Sequence, residues 1–210
     1  MCAAQQPLQI LAFGASLTAG YYNYGQDYHP YAKHLAQLFQ LANIPVQIYV
    51  QGVSGERVVP SMVERLRSLL EQVALCDWII IQGGTNDLGH GLPAEKIFKE
   101  GLQPMYEMCL NHTSAKTKLA IMTIIENTHY SPTDDGDKNR QALNSMIRDY
   151  VAEASDQNRI SLVDLDKGIS YHAIKDRSDS QKMWDDVIHL TPAGYDRMAT
   201  LVFDAIKNKL

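Results

Sequence analysis

The chain has 210 residues, 45% of them hydrophobic and 20% charged, with a formal net charge of −5. This length favours one domain spanning 1–210, with enough apolar side chains to fill a real core. An acidic balance without a Lys/Arg cluster argues against nucleic acid or an anionic membrane as partner, because both demand a concentrated basic surface.

The three cysteines, Cys2, Cys76 and Cys109, are odd in number, far apart and without CxxC spacing. Neither a disulfide framework nor a zinc site is expected, and a reducing compartment fits better. The opening MCAAQQPLQILAF has no basic n-region, and no run approaches the ~18 apolar residues that span a bilayer. The expectation is a soluble cytoplasmic protein without stable membrane insertion.

In chain order, the first apolar run of strand length is LQILAF at 8–13, closed by Gly14-Ala15-Ser16-Leu17-Thr18. Tyr21, Tyr22, Tyr24, Tyr28 and Tyr31 then cluster with Gly25, His29 and Pro30, and a helix is predicted over 29–43. A second strand, VQIYVQ at 46–51, ends in Gly52-Val53-Ser54-Gly55-Glu56. The helix predicted over 60–75 begins at Pro60, a residue suited to a first turn. WIIIQ at 78–82 is a third strand, followed by Gly83-Gly84-Thr85-Asn86-Asp87 and a helix over 93–111. KLAIMTII at 118–125 and ISLVDL at 160–165 flank a helix over 137–156. The chain ends in Trp184-Asp185-Asp186-Val187-Ile188-His189-Leu190 and a helix over 192–208, where Thr191 is positioned as N-cap and Pro192 as first helical residue.

The central strands are nearly continuous in Ile, Val, Leu and Met, as strands covered on both faces are. Five βα units predict an α/β protein, a three-layer α/β/α sandwich around a five-stranded parallel sheet. Ligands of such sheets sit at the carboxyl edge of the strands, so the residues just after each strand decide the chemistry.

Those residues form a coherent set. A serine hydroxyl becomes a nucleophile when a neighbouring base takes its proton, and His189 can be that base for Ser16. Asp186, three residues earlier, is close enough to receive the other ring N–H and hold the tautomer. The Ser16 N–H, the Gly55 N–H and the Asn86 side-chain amide are candidate donors to a tetrahedral oxyanion. Glycine at 55 also lets the backbone approach a substrate.

The segments FGASLTAG, GVSGERV, GGTNDLG and DDVIHLTPAGY resemble, in order and over nearly the whole chain, the conserved blocks of the SGNH (GDSL-type) hydrolases. The resemblance implies a flavodoxin-like fold and an esterase of small-molecule esters that works without metal or organic cofactor. It also implies Ser16 as nucleophile, Asp186 and His189 as the acid-base pair, and Ser16, Gly55 and Asn86 as the oxyanion hole. Short acyl esters, acetylated sugars, lysophospholipids and thioesters all fall within that family's range. One departure is visible: the family's Asp before the nucleophile is Ala15 here. The proton transfers do not use that position, so the expected effect is a less rigid turn with activity retained.

Plainer readings exist for each residue. Ser16 and Thr18 alone would read as cap and turn residues, Ser54 as a turn residue, Asp185 as a competitor of Asp186, and Asp87 as a brace for the Asn86 loop. The histidines at 29, 34, 90, 112, 129 and 172 lack metal-ligand spacing, and Asp134-Asp135-Gly136-Asp137 reads as a solvated loop entering a helix. Two alternative functions are a flavin-binding flavodoxin-like module, holding FMN phosphate at SLTAG, and a non-catalytic module on a hydrolase scaffold. The first leaves Asn86, Asp186 and His189 without a role; the second leaves every acid-base and oxyanion position filled without purpose.

Overall fold

The computed structural model describes residues 6–72, 76–112, 116–173, 178 and 182–210; Cys2 lies outside them. The elements, in chain order, are β1 (Leu8–Gly14), α1 (Ser16–Ala19), β2 (Tyr21–Tyr22), β3 (Asp27–Tyr28), α2 (Ala32–Leu41) and β4 (Val46–Gly52). Then come α3 (Val63–Leu70), β5 (Trp78–Ile81), α4 (Thr85–Gly89), α5 (Ala94–Ile97), α6 (Gln103–His112) and β6 (Lys118–Met122). The last are α7 (Asp135–Ala152), β7 (Ile160–Val163), α8 (Leu165–Gly168) and α9 (Pro192–Ile206).

The five main strands form one parallel sheet in the order β4-β1-β5-β6-β7. Alternation along each strand sends side chains to two separate cores. Leu11, Phe13, Ile79, Ile81, Leu119 and Ile121 pack with α3, α6 and α7. Ile10, Ala12, Trp78, Ile80, Ala120 and Met122 pack on the other face with α2 and α9. Burying both faces is why the inner strands β1, β5 and β6 read as nearly unbroken apolar runs, whereas the edge strand β4 is largely exposed. The chain steps from β1 outward to β4 and returns to β5 on the other side of β1. The order therefore reverses at β1, and loops leaving β1 and β5 diverge to open a crevice at the carboxyl edge.

All five predicted strands are present, and their ends show what sequence pattern alone misses. The run 118–125 stops pairing at Met122 because Asn144 of α7 takes over: its carbonyl oxygen accepts Ile124 N–H at 2.7 Å, and its amide donates to Ile124 O at 2.8 Å. A side chain has replaced the strand partner that these backbone groups would otherwise need. The run 160–165 ends at Val163, where Asp164 caps α8 by accepting Lys167 N–H.

The helices shift more. Pro60 does not open a regular helix: Val58–Met62 is a wide turn with Val59 extended, and α3 starts at Val63. Of the segment 93–111, Pro93 is the extended N-cap and the rest is helical, with a π-helical stretch, Phe98–Leu102, between α5 and α6. The final helix matches its signals, with Thr191 Oγ1 accepting Gly194 N–H at 3.3 Å and Pro192 in the first turn. The tyrosine-rich segment before α2 is an antiparallel hairpin, pairing Tyr21 with Tyr28 and Tyr22 with Asp27.

Candidate active site

Ser16 follows β1 by two residues and is the first residue of α1, so its N–H has no acceptor within the helix. Its hydroxyl lies 3.0 Å from His189 Nε2, although 173 residues separate them in the chain. His189 Nδ1 is in turn 2.7 Å from Asp186 Oδ2. Oδ1 of the same carboxylate accepts Ile188 N–H at 2.8 Å and His189 N–H at 2.7 Å. Burial works against the Asp186 charge, but those two N–H groups and the His189 ring outweigh it and hold the carboxyl below its ordinary range.

The loop carrying this pair closes on itself. Trp184 and Leu190 form an antiparallel bridge, and Asp185 N–H donates to His189 O at 2.9 Å. Asp185 does not reach the imidazole: its carboxylate accepts Asn23 N–H at 2.8 Å, pinning the tip of the β2–β3 hairpin. That hairpin covers the histidine. The Tyr21 ring lies 4.4 Å from the His189 ring, tilted by 37°, and buried Tyr195 of α9 donates its hydroxyl proton to Tyr21 O at 2.6 Å. On the opposite flank, Thr128 N–H donates to Val187 O at 2.9 Å, joining the loop after β6 to the histidine loop.

The β4 and β5 ends supply the remaining expected residues. Gly55 lies in the turn after β4 with φ +78°, and nothing stands within 4 Å of where a Cβ would be. In the structure the glycine is therefore demanded by its left-handed backbone rather than by crowding from protein atoms. Asn86, on α4, donates from Nδ2 to Glu56 O at 2.7 Å, which orients the amide and leaves it a second hydrogen to donate. Gly84 before it has φ +114°, with Leu143, Ile124 and Ile97 side chains 3.2–3.6 Å from the position of a Cβ. This turn thus carries Asn86 out of β5 while packed on the core.

Asp87, fully buried, reaches farther than its own loop: its carboxylate accepts Val58 N–H at 2.8 Å and Val59 N–H at 3.1 Å. Burial pushes its pKa above the ordinary carboxylate value despite those bonds and the charge of Arg57. Ala15 is buried, and α1 begins with no side-chain cap at that position. The acidic run 134–137, which forms the N-cap and first turn of α7, is only partly solvated. Asp135 is exposed, but Asp137 is buried and paired with Arg140 at 2.6 Å, because α7 turns that face inward. Among the described residues no group of three or more His, Cys, Asp or Glu side chains gathers as a metal site would.

A serine, a histidine and a carboxylate in this hydrogen-bonded order can move a proton while an oxygen attacks a carbonyl carbon. The sequence profile of the GDSL-like Lipase/Acylhydrolase family matches residues 12–197. The chain belongs to this family. It is accordingly a carboxylic ester hydrolase acting on small-molecule esters.

Solved structures share the esterase's fold at low sequence identity. A family 3 carbohydrate esterase from Clostridium thermocellum is 18% identical with a TM-score of 0.74, covering 97% of this chain and 96% of that one. The native aryl esterase of M. smegmatis is 18% identical with a TM-score of 0.70, covering 97% and 100%. The psychrotrophic esterase EstA from Pseudoalteromonas, in a structure inhibited by monoethylphosphonate, is 22% identical with a TM-score of 0.68, covering 95% and 97%. No curated protein sequence matches the esterase. Among its described residues, no helix is long and apolar enough to cross a membrane.

Two features of this esterase had no signal in the sequence. Tyr195 supports Tyr21 across 174 residues through a hydroxyl-to-carbonyl bond. Arg65, on a helix that reads as simply amphipathic, points its guanidinium to the carboxyl edge, where it meets Glu56, Gly14 and Gln51.

Proposed function

We propose that this esterase hydrolyses its substrates through an acyl-enzyme on Ser16. The observation that carries the reading is the continuous hydrogen-bonded chain from Ser16 Oγ through His189 to Asp186, at 3.0 and 2.7 Å. Ser16 Oγ attacks the ester carbonyl carbon while His189 Nε2 takes the hydroxyl proton. Asp186 holds the ring in the tautomer that leaves Nε2 able to accept, and stabilises the imidazolium as it forms. The tetrahedral oxyanion receives hydrogen bonds from Ser16 N–H, Gly55 N–H and the unused amide hydrogen of Asn86. Collapse breaks the bond to the alcohol, which leaves with the proton from His189. Water then enters and bonds to the acyl carbon while His189 takes its proton; collapse breaks the bond to Ser16 Oγ, which recovers that proton from His189 as the carboxylic acid leaves.

The exposed tyrosines of the hairpin form one wall of the substrate site in this reading. Tyr24 at its tip is 86% exposed, while the Tyr21 ring already lies against His189. Such rings offer an apolar face with a polar edge, which suits the alcohol part of a sugar or aryl ester. That the fold is shared with a carbohydrate esterase and an aryl esterase agrees with this choice of substrates.

The test is the Ser16→Ala variant beside wild type, over p-nitrophenyl esters of graded chain length and acetylated sugars, with fluorophosphonate labelling of both. Loss of turnover and labelling together, at unchanged Tm, is expected. Labelling that persists in Ser16→Ala would move the nucleophile elsewhere.

A further inference from the structure

The three oxyanion donors sit after three different strands, so their spacing depends on whatever ties those strand ends together. One side chain does so. Arg65 of α3 donates from Nε to the Glu56 carboxylate at 3.0 and 2.9 Å and from Nη2 to the same carboxylate at 2.6 Å. Nη2 also donates to Gly14 O, the last residue of β1, at 2.9 Å, and Nη1 to Gln51 O near the end of β4 at 3.3 Å. The guanidinium carbon stands 4.0 Å from the Phe13 ring centroid, so the group is held from its face as well as its edge.

Glu56 extends the same tie. It follows Gly55 directly, so fixing its carboxylate restrains the peptide that carries the Gly55 donor. Its own carbonyl accepts the Asn86 Nδ2 bond at 2.7 Å and thereby sets the direction of the remaining amide hydrogen. Gly14 lies two residues before Ser16. A single guanidinium is thus one or two links from each of the three donors.

We propose that Arg65, acting through Glu56, is a positioning residue that sets the mutual geometry of the oxyanion donors; this rests on the assignment of Ser16, Gly55 and Asn86 made above. A largely buried ion pair is a poor source of stability, since the desolvation of both charges offsets their attraction. What a planar fork of five donors provides is direction, and it can meet a carboxylate and two carbonyls at once. Lysine carries the same charge but presents it as a point, so it can keep Glu56 and lose the other two contacts. Misplacing a donor matters most where charge develops, so the loss falls on the transition state rather than on substrate binding.

The experiment is a double-mutant cycle of Arg65→Lys and Asn86→Ala, read as kcat and KM on p-nitrophenyl acetate, with Tm measured alongside. Asn86→Ala should lower kcat about 10²–10³-fold, as deletion of an oxyanion donor does. Arg65→Lys should lower kcat about 10- to 100-fold, with KM within about threefold of wild type. The double variant should be about tenfold more active than the product of the two losses, because part of what Arg65 orients is already gone. Glu56→Gln should lower kcat about tenfold, and it replaces Arg65→Lys in the cycle if the lysine variant does not fold. Strictly multiplicative losses, an unchanged kcat, or an effect confined to KM would each overturn the proposal and leave Arg65 an ordinary structural residue. If Asn86→Ala itself leaves kcat intact, the donor assignment is wrong and the positioning role falls with it.

Discussion

Asp186→Asn isolates the part of the site that the geometry defines most tightly. The carboxylate accepts two backbone N–H groups on Oδ1 and the His189 ring on Oδ2. An asparagine must place its single oxygen where the two N–H groups point, because the reverse flip would set its NH₂ against two donors. The NH₂ then faces His189 Nδ1 and donates to it, so the ring proton moves to Nε2. A protonated Nε2 cannot accept from Ser16, and the base is disarmed while the loop keeps both backbone bonds. The expected loss is about 10³–10⁴ in kcat, or about 4–5.5 kcal/mol of transition-state stabilisation at 1.36 kcal/mol per tenfold. Tm should move little, by about 3 °C or less, since Asp186 is partly exposed and the two backbone bonds survive. Turnover of p-nitrophenyl acetate with a parallel thermal melt reads both quantities. Asp185→Asn is the control: its oxygen can still accept Asn23 N–H, so activity should stay within about threefold of wild type. Retention of more than a tenth of kcat by Asp186→Asn, or an equal loss in Asp185→Asn, would refute the tautomer argument.

Asp87→Asn should destabilise without touching the reacting groups. One of Val58 N–H and Val59 N–H would face an amide donor, costing about 2 kcal/mol and about 4–8 °C in Tm, net of relief from burying a charge; an unchanged Tm would argue against it. Acid should weaken the fold through Asp164. Burial opposes its ionisation, but Arg148, Thr123 and Lys167 N–H outweigh this and hold its pKa below the ordinary value. A depressed carboxylate contributes stability that is present above the unfolded pKa of about 3.9 and is lost as pH falls through the lower folded value. Asp164→Asn should therefore flatten the dependence of Tm on pH below about 4, and an unchanged slope would count against the linkage. Tyr195→Phe removes the hydrogen bond that its hydroxyl donates to Tyr21 O. A loss of about 1 kcal/mol is expected, with faster hydrogen exchange in the hairpin than in the sheet; uniform exchange would place the effect elsewhere.

Much of the fold was legible because its signals are local and repetitive. Strands buried on both faces announce themselves as apolar runs, and the α9 start is written in Thr191-Pro192. The link between Asp186 and His189 was legible for the same reason, since three residues and a self-closing loop suffice to form it. The hairpin over 21–28 was missed, because two short strands with a left-handed tip at Asn23 and Tyr24 carry too little pattern. Asp137 was misread as solvated because its partner, Arg140, is buried by the tertiary placement of α7 rather than by any local sequence signal.

By itself the sequence determined which residue types stand at each strand end and that the sheet is parallel, and it offered Ser16, Gly55, Asn86, His189 and one of two adjacent aspartates as candidates for acyl chemistry. Only the tertiary structure decided their distances, because hydrogen bonds between residues 16 and 189 depend on strand order and loop closure. It also decided which of two adjacent aspartates faces the imidazole, and that Arg65 reaches Gly14 and Gln51 as well as Glu56. The physical reason is the same in each case. Residue type and spacing set what a side chain can do, whereas direction is set by elements distant in sequence that meet only once both cores have closed.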